Sequence, residues 1–388
     1  MRDLSSRMAD LGTETAFDVL ARARAVEAQG RRVLHLEIGE PDFPTPKHIV
    51  EAGVRALRDG HTRYGPPPGL PALREAICER LLAERAVRAS PDEVVVTPGA
   101  KPILFLAILA TIGPGDEVLV PDPGFPIYES VVRFAGARVV PVPVREESAF
   151  SLDVDAAERL VTPRTRMLIF NSPANPTGGA TTERDLDRIA ALAERHDLWV
   201  IADEIYARIS YEEPHRSLAA LPGMRERVIL SDGFSKAYAM TGWRLGFGVV
   251  PKRLAEPMTR LVINSNSCTA AFVQLAGVEA LRGTQEPVER MAAEYRRRRD
   301  LVVSALRAMP GVRCAVPRGA FYAFPDVRSL PITASELATR LLEEHGVATL
   351  SGTAFGPGGD GHLRISYVSA PDVLGEALQR MRAAIAGL

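Results

Sequence analysis

From about residue 92 onward the chain alternates short, almost unbroken apolar runs with helical stretches, and this alternation limits the fold more than any other feature. The runs are Glu93–Thr97, Glu117–Val120, Arg138–Val142, Met167–Asn171, Trp199–Asp203 and Val228–Ser231. A strand covered on one face alternates polar and apolar residues, whereas one covered on both reads as a continuous hydrophobic run. Helix candidates such as Pro102–Thr111, Pro126–Ala135 and Glu183–His196 lie between them. The pattern predicts an α/β domain with a mostly parallel sheet and helices on both sides.

One run breaks the rule. Only thirteen residues separate Ser231 from the run Leu245–Val250, and they include Gly233 and Gly242. A parallel crossover needs a dozen or more residues and usually a helix. The last strand is therefore expected antiparallel to its neighbours, leaving the connecting loop free for chemistry. Beyond Pro287 the pattern changes to a long helix, Val288–Met309, then a run Ala320–Phe324, a helix Ala334–His345, a strand Leu363–Val368 and a helix Pro371–Ile385. That reads as a smaller α+β unit, and 388 residues suit two domains.

Charge narrows the class of partner. Lysine and arginine total 47 against 48 acidic residues, which gives no electrostatic reason for nucleic acid or an anionic membrane. The basic run Arg296–Arg299 reads as a solvated helix face with Glu289 and Glu294 nearby. Cys78, Cys268 and Cys314 are scattered, which fits a reducing compartment and no disulfide framework. The first residues lack the apolar core of a signal peptide, and the longest apolar run, Ile103–Ile112, is half a membrane span. The expectation is a soluble cytoplasmic protein. No metal-ligand spacing occurs among the seven histidines, and no metal is expected.

Four segments carry chemistry. Val96-Thr-Pro-Gly99-Ala100-Lys101-Pro-Ile103 is a strand, a glycine turn and a helix start, which can cradle a phosphate on backbone N–H groups. Alone it is weak, since any strand-to-helix turn looks like this. Asn171-Ser-Pro-Ala-Asn175-Pro-Thr-Gly178 ends a strand with turn-forming residues. Asp203, at the carboxyl end of a buried strand, stands where open α/β sheets bind ligands, but a structural helix cap is an equal reading on that segment. Lys236 lies among small and apolar neighbours in Ser231-Asp-Gly-Phe-Ser-Lys-Ala-Tyr-Ala-Met-Thr-Gly-Trp-Arg244, a setting that desolvates an amine and lowers its pKa.

Together, Asn-Pro-x-Gly, Asp-x-x-Tyr and Ser-Lys followed eight residues after the lysine by Arg resemble the class I/II pyridoxal-phosphate aminotransferases. The resemblance runs from Ile38-Gly-Glu-Pro-Asp-Phe through Tyr64-Gly-Pro-Pro-Pro-Gly to Leu363-Arg-Ile-Ser, nearly the whole chain. It implies the fold-type I architecture: a large domain, residues 46–285, with a mostly parallel seven-stranded sheet, and a small domain from residues 1–45 with 286–388. It implies pyridoxal 5′-phosphate held as an aldimine on Lys236, which also moves the proton, with Asp203 at the pyridine nitrogen. Asn175 and Tyr206 match the pair at the phenolic oxygen. Ser235 and Arg244 match phosphate ligands, joined by Gly99, Ala100 and Lys101. Phe125 matches the aromatic that stacks on the ring, where the family usually has Tyr or Trp. Tyr64 matches a tyrosine that crosses from a second subunit, which implies a homodimer. Arg364 and Gly39 match the grip on the substrate α-carboxylate, to which Asn175 adds, and the loop Glu40–Pro46 a mobile lid. The Asn175–Pro176 bond is expected to be cis.

The implied reaction moves an amino group from an L-amino acid to a 2-oxo acid. A lyase or elimination on the same scaffold would share Lys236, Asp203 and Arg364, because fold does not decide reaction. A regulator binding the cofactor and DNA would need a separate basic helix-turn-helix domain. A nucleotide-dependent oxidoreductase would need a glycine fingerprint that the chain lacks. Thr15–Phe17, the lid, Tyr128 and Asn266 are expected around the substrate side chain. No residue marks a second carboxylate site.

Overall fold

The computed structural model describes residues 3–388. Its main sheet has seven strands, numbered here in chain order: β1 Val94–Thr97, β2 Glu117–Asp122, β3 Arg138–Pro143, β4 Thr165–Asn171, β5 Trp199–Asp203, β6 Val228–Gly233 and β7 Gly246–Val249. Their order across the sheet is β1-β7-β6-β5-β4-β2-β3. Pairs from β3 to β6 are parallel, and β7 runs antiparallel to both β6 and β1. The short connection therefore acts as expected, and residues 234–245 form a loop rather than a crossover.

The continuous apolar runs follow from burial on both faces. Alternate side chains of a strand point to opposite sides. Val94, Val96, Leu168, Phe170, Val200 and Ala202 enter one hydrophobic cluster. Val95, Met167, Ile169, Ile201 and Ile229 enter another, with Ile103, Leu104 and Met258 from covering helices. Both cores need apolar residues, so neither face of the strand is left polar.

Register then places the chemistry. Asn171 pairs with Asp203 and Asp203 with Ser231, so the carboxyl ends of β4, β5 and β6 finish side by side. The loop after β1 enters the helix Lys101–Thr111 at the neighbouring edge.

The remaining unit holds an antiparallel sheet of Tyr322–Ala323, Leu350–Ser351 and Leu363–Ser366, with helices Glu286–Arg307, Ala334–Glu343 and Pro371–Ala386. Leu34–His35 pairs in parallel with Val347–Ala348, tying the N-terminal segment to it. The strands here are shorter than the runs Ala320–Phe324 and Leu363–Val368 suggested. The basic run also differs from expectation. Arg296 and Arg297 are exposed, but Arg298 and Arg299 are buried. Arg298 pairs with Asp42 and Glu294, and Arg299 with Glu212 and Asp300. Among the described residues no helix is long and apolar enough to cross a membrane.

Candidate active site

A cleft of about 460 Å³ opens at the carboxyl ends of β4 to β6, lined also by Tyr322 and Arg364 of the antiparallel sheet. Most of the residues singled out from the sequence line it: Gly39, Ala100, Lys101, Phe125, Asn175, Asp203, Tyr206, Ser235, Lys236, Arg244 and Arg364.

The floor is Asp203. Its carboxylate accepts a hydrogen bond from the Tyr128 hydroxyl at 2.7 Å and another from the Ile205 N–H. Burial pushes its pKa up to about 6, with these two donors opposing and Asp232 and Glu204 adding to the rise. A buried carboxylate in that state gains from a cationic N–H partner placed opposite it. Tyr128 lines the cleft, but its hydroxyl is turned onto Asp203 rather than toward a substrate side chain. Beside it Asn171 anchors the turn, donating to the Asp203 carbonyl and accepting from the Asn175 N–H. Asn175–Pro176 is cis, as are Ser172–Pro173 and Asp122–Pro123.

Lys236 projects from the loop after β6. Its ammonium donates to the Gly39 carbonyl at 2.6 Å and lies 5.7 Å from the centre of the Phe321 ring. Burial lowers its pKa to about 8, Glu40 opposing and Arg364 adding to the fall. An amine near 8 is available as a neutral base or nucleophile at physiological pH.

One end of the cleft is built for an anion. Gly99 takes φ +97°, and a Cβ there would lie 2.4 Å from an Arg244 terminal nitrogen. Arg244, itself at φ +55°, donates to the carbonyls of Thr241 and Pro98. A Cβ on Gly246 would press the Ala100 backbone nitrogen at 2.2 Å, so this position has room only for hydrogen. Ser235, Arg244 and the amino end of the helix Lys101–Thr111 thus converge. Lys101 differs from expectation, because its ammonium is ion-paired with Glu14 and lies 5.4 Å from the Phe125 ring centre.

The other end is Arg364. One terminal nitrogen donates to the Asn175 side-chain oxygen at 3.2 Å and the other to the Glu37 carbonyl. The guanidinium lies between the Tyr322 and Phe355 rings, 4.7 and 5.0 Å from their centres. Its Nε, though buried, has no partner among the described residues. Tyr322 bonds through its hydroxyl to Tyr206 at 2.8 Å, and a Cβ on Gly39 would collide with that hydroxyl. Sequence reasoning missed Tyr322, whose only signal was a place in the aromatic run Phe321–Phe324, and Glu14, which carried none. Tyr64 and Asn266 are not brought to the cleft by this chain. Tyr64 is 89% exposed, and Asn266 is exposed at the end of a helix.

Outside the cleft, Glu146, Asp326 and His362 approach within 4.8 Å of one another, but Arg313 and Arg328 occupy the Asp326 carboxylate.

The family model for aminotransferase class I and II matches residues 31–381. The aspartate aminotransferase of Pyrococcus abyssi is 44% identical over 360 residues, 92% of each chain. The arginine–pyruvate transaminase of Pseudomonas aeruginosa is 39% identical, covering 98% of this chain and 96% of that one. The crystal structure of the aspartate aminotransferase from Rhizobium meliloti superposes with a TM-score of 0.95 at 36% identity, over 100% of this chain and 99% of that one.

Proposed function

The chain belongs to the class I and II aminotransferases, a family that transfers amino groups with pyridoxal 5′-phosphate, and from that premise we propose which residues of the cleft hold the cofactor and move the proton. The enzyme moves an amino group from an amino acid to a 2-oxo acid. The observation that carries the assignment is a desolvated Lys236 amine in one cleft with the buried Asp203 carboxylate and the buried Arg364 guanidinium.

These residues fit the cofactor's chemistry. Asp203 is the carboxylate that would hold positive charge at the pyridine nitrogen. Asn175 and Tyr206 would donate hydrogen bonds to the phenolic oxygen, and Phe125 would offer a face to the ring. The Gly99–Lys101 turn, Ser235 and Arg244 would hold the phosphate through backbone N–H groups, a hydroxyl and a guanidinium. When bound, pyridoxal phosphate supplies the electron sink that acidifies the substrate Cα–H and carries the amino group between two substrates.

The protein's own part is positioning and proton transfer. Arg364 grips the substrate α-carboxylate through its planar fork, with Gly39 and Asn175 beside it. Lys236, as a neutral amine, would take the proton from the substrate Cα and deliver it to C4′ of the cofactor, a shuttle that its lowered pKa permits at neutral pH. Tyr322 keeps Tyr206 in place and walls the guanidinium from water.

We also propose a homodimer in which Tyr64 of a second copy completes the phosphate site; its exposed position outside the cleft supports this. The division into residues 46–285 and residues 1–45 with 286–388 is a proposal of the same standing, supported by the pairing of Leu34–His35 with Val347–Ala348. So is a cytoplasmic location, supported by three free cysteines.

The test is the visible absorbance of the purified holoenzyme during addition of single L-amino acids. The yellow band should bleach with a substrate and return with a 2-oxo acid, and Lys236→Ala should abolish the cycle. Release of ammonia in place of the returning band would refute transamination, and a cycling Lys236→Ala protein would refute the role of the lysine.

A further inference from the structure

One charged pair in the cleft has no part in the assignments above. Glu14 stands at the start of the helix Thr15–Glu27 in the N-terminal arm, and Lys101 opens the helix Lys101–Thr111. They are 87 positions apart in the chain, yet their charged groups are in direct contact inside the cleft. The Glu14 side chain is 18% exposed, and it makes no cap for its own helix. Its charge is felt at both Lys236 and Arg364, raising each against the effect of burial. Glu14 thus borders the same cleft as the proton-moving amine and the carboxylate grip, beside which a substrate side chain has to lie.

Apolar side chains, among them Phe17, Ile38, Leu104 and Phe125, line the same cleft, with Glu40 and Thr241 at its edge. A free ammonium in such surroundings would draw in an acidic side chain. Here it already carries a carboxylate from the protein. An incoming dicarboxylic amino acid would have to displace Glu14 from Lys101 and leave two like charges together, which is unfavourable at close range. A neutral side chain meets no such penalty and gains apolar contact.

We propose that Glu14 determines specificity: its carboxylate occupies Lys101 in place of a substrate's, so the cleft accepts amino acids with neutral side chains and rejects dicarboxylic ones. This rests on the reading of Lys236 and Arg364 given above.

The experiment follows the bleaching of the holoenzyme in single half-reactions, which need no amino acceptor, with alanine, leucine, phenylalanine, aspartate and glutamate. Wild type should react with a neutral amino acid at least about tenfold more efficiently than with aspartate or glutamate, a ratio worth ~1.4 kcal/mol. Glu14→Gln and Glu14→Ala should each raise the efficiency with an acidic substrate by about tenfold or more and change that with the neutral ones by less than about threefold. A wild type that prefers aspartate or glutamate, or variants with an unchanged acidic-to-neutral ratio, would overturn the proposal while the transamination reading stands. Should no amino acid bleach either protein, the transamination reading fails, and the specificity proposal with it.

Discussion

Arg85 ends the helix Pro71–Arg85 with its guanidinium inside the protein, 2.7 Å from Asp232 and 3.0 Å from Glu204. Glu204 follows Asp203, and Asp232 lies in β6 four residues before Lys236, so this cation braces the two strand ends that carry the chemistry. Glu204 also faces the His215 ring at 3.1 Å and accepts a hydrogen bond from the Ser217 hydroxyl at 2.6 Å. The Arg85 and Glu204 side chains are 5% and 0% exposed. Burial works against the Arg85 charge, and the two carboxylates more than restore it. Arg85→Met keeps most of the volume and removes the charge. Two buried carboxylates then lose their shared cation, and breaking such a buried pair from one side costs about 3–5 kcal/mol.

The sign of the pH dependence makes the test specific. Burial already raises Asp232 against the pull of Arg85, and without Arg85 it rises further. A carboxyl group whose folded pKa exceeds its unfolded value favours folding increasingly as pH falls through the folded pKa. The deficit of Arg85→Met should therefore be largest near pH 8 and shrink toward pH 5. Urea unfolding of the holoenzyme at several pH values measures it, and adding Asp232→Asn should recover much of the loss at pH 8. A deficit below about 1 kcal/mol at pH 8, or one that does not vary with pH, would refute the reasoning.

Two further outcomes follow from single contacts. Arg364→Lys should lower kcat/KM for the amino acid by roughly 10- to 100-fold, since a point charge cannot replace a fork and each charge-assisted hydrogen bond contributes about 1.5–3 kcal/mol; steady-state kinetics with unchanged values would remove Arg364 from the grip. His35, whose ring bonds Glu37 at 2.7 Å and Glu27 at 3.2 Å, is raised to about 9, chiefly by the Glu37 bond and against burial. That contribution is fully present below the unfolded value of about 6.5 and is lost as pH rises through about 9; for a ring a third exposed it is roughly 1–2 kcal/mol. His35→Gln should flatten the decline of stability over that window, and parallel declines in both proteins would show that other groups cause it.

What was legible in the chain was whatever local chemistry dictates. Strands buried on both faces must be apolar throughout, so β1, β4, β5 and β6 could be read directly, and the short link to β7 left it one direction. Asn175, Asp203 and Lys236 stand at the ends of such strands, which is why they could be found without a structure. Pairings made across the fold carried no local mark. Tyr128 reaches Asp203 over 75 positions, Tyr206 meets Tyr322 over 116, and Arg364 meets Asn175 over 189.

The arginine run shows how a sound local rule is overridden. Residues spaced by three and four share one face of a helix, so Tyr295, Arg298, Arg299 and Val302 belong together, and all four are buried. The rule that arginine avoids burial unless paired would turn that face outward. Pairing decides the matter, but the partners are distant: Asp42 lies 256 positions from Arg298, and Glu212 lies 87 from Arg299. Arg298 also donates to the Val368 carbonyl and lies 5.0 Å from the centre of the Phe43 ring, while Arg299 donates to the Pro317 carbonyl. Asp42 and Phe43 belong to the segment that begins at Gly39, whose carbonyl receives Lys236, and whose Glu40 and Thr45 bond Thr241 and the Ala239 carbonyl. A strap held at one end by the lysine loop and at the other by a buried arginine links the helix Glu286–Arg307 to the Lys236 amine, and that link supplies a reason for keeping so costly a group inside.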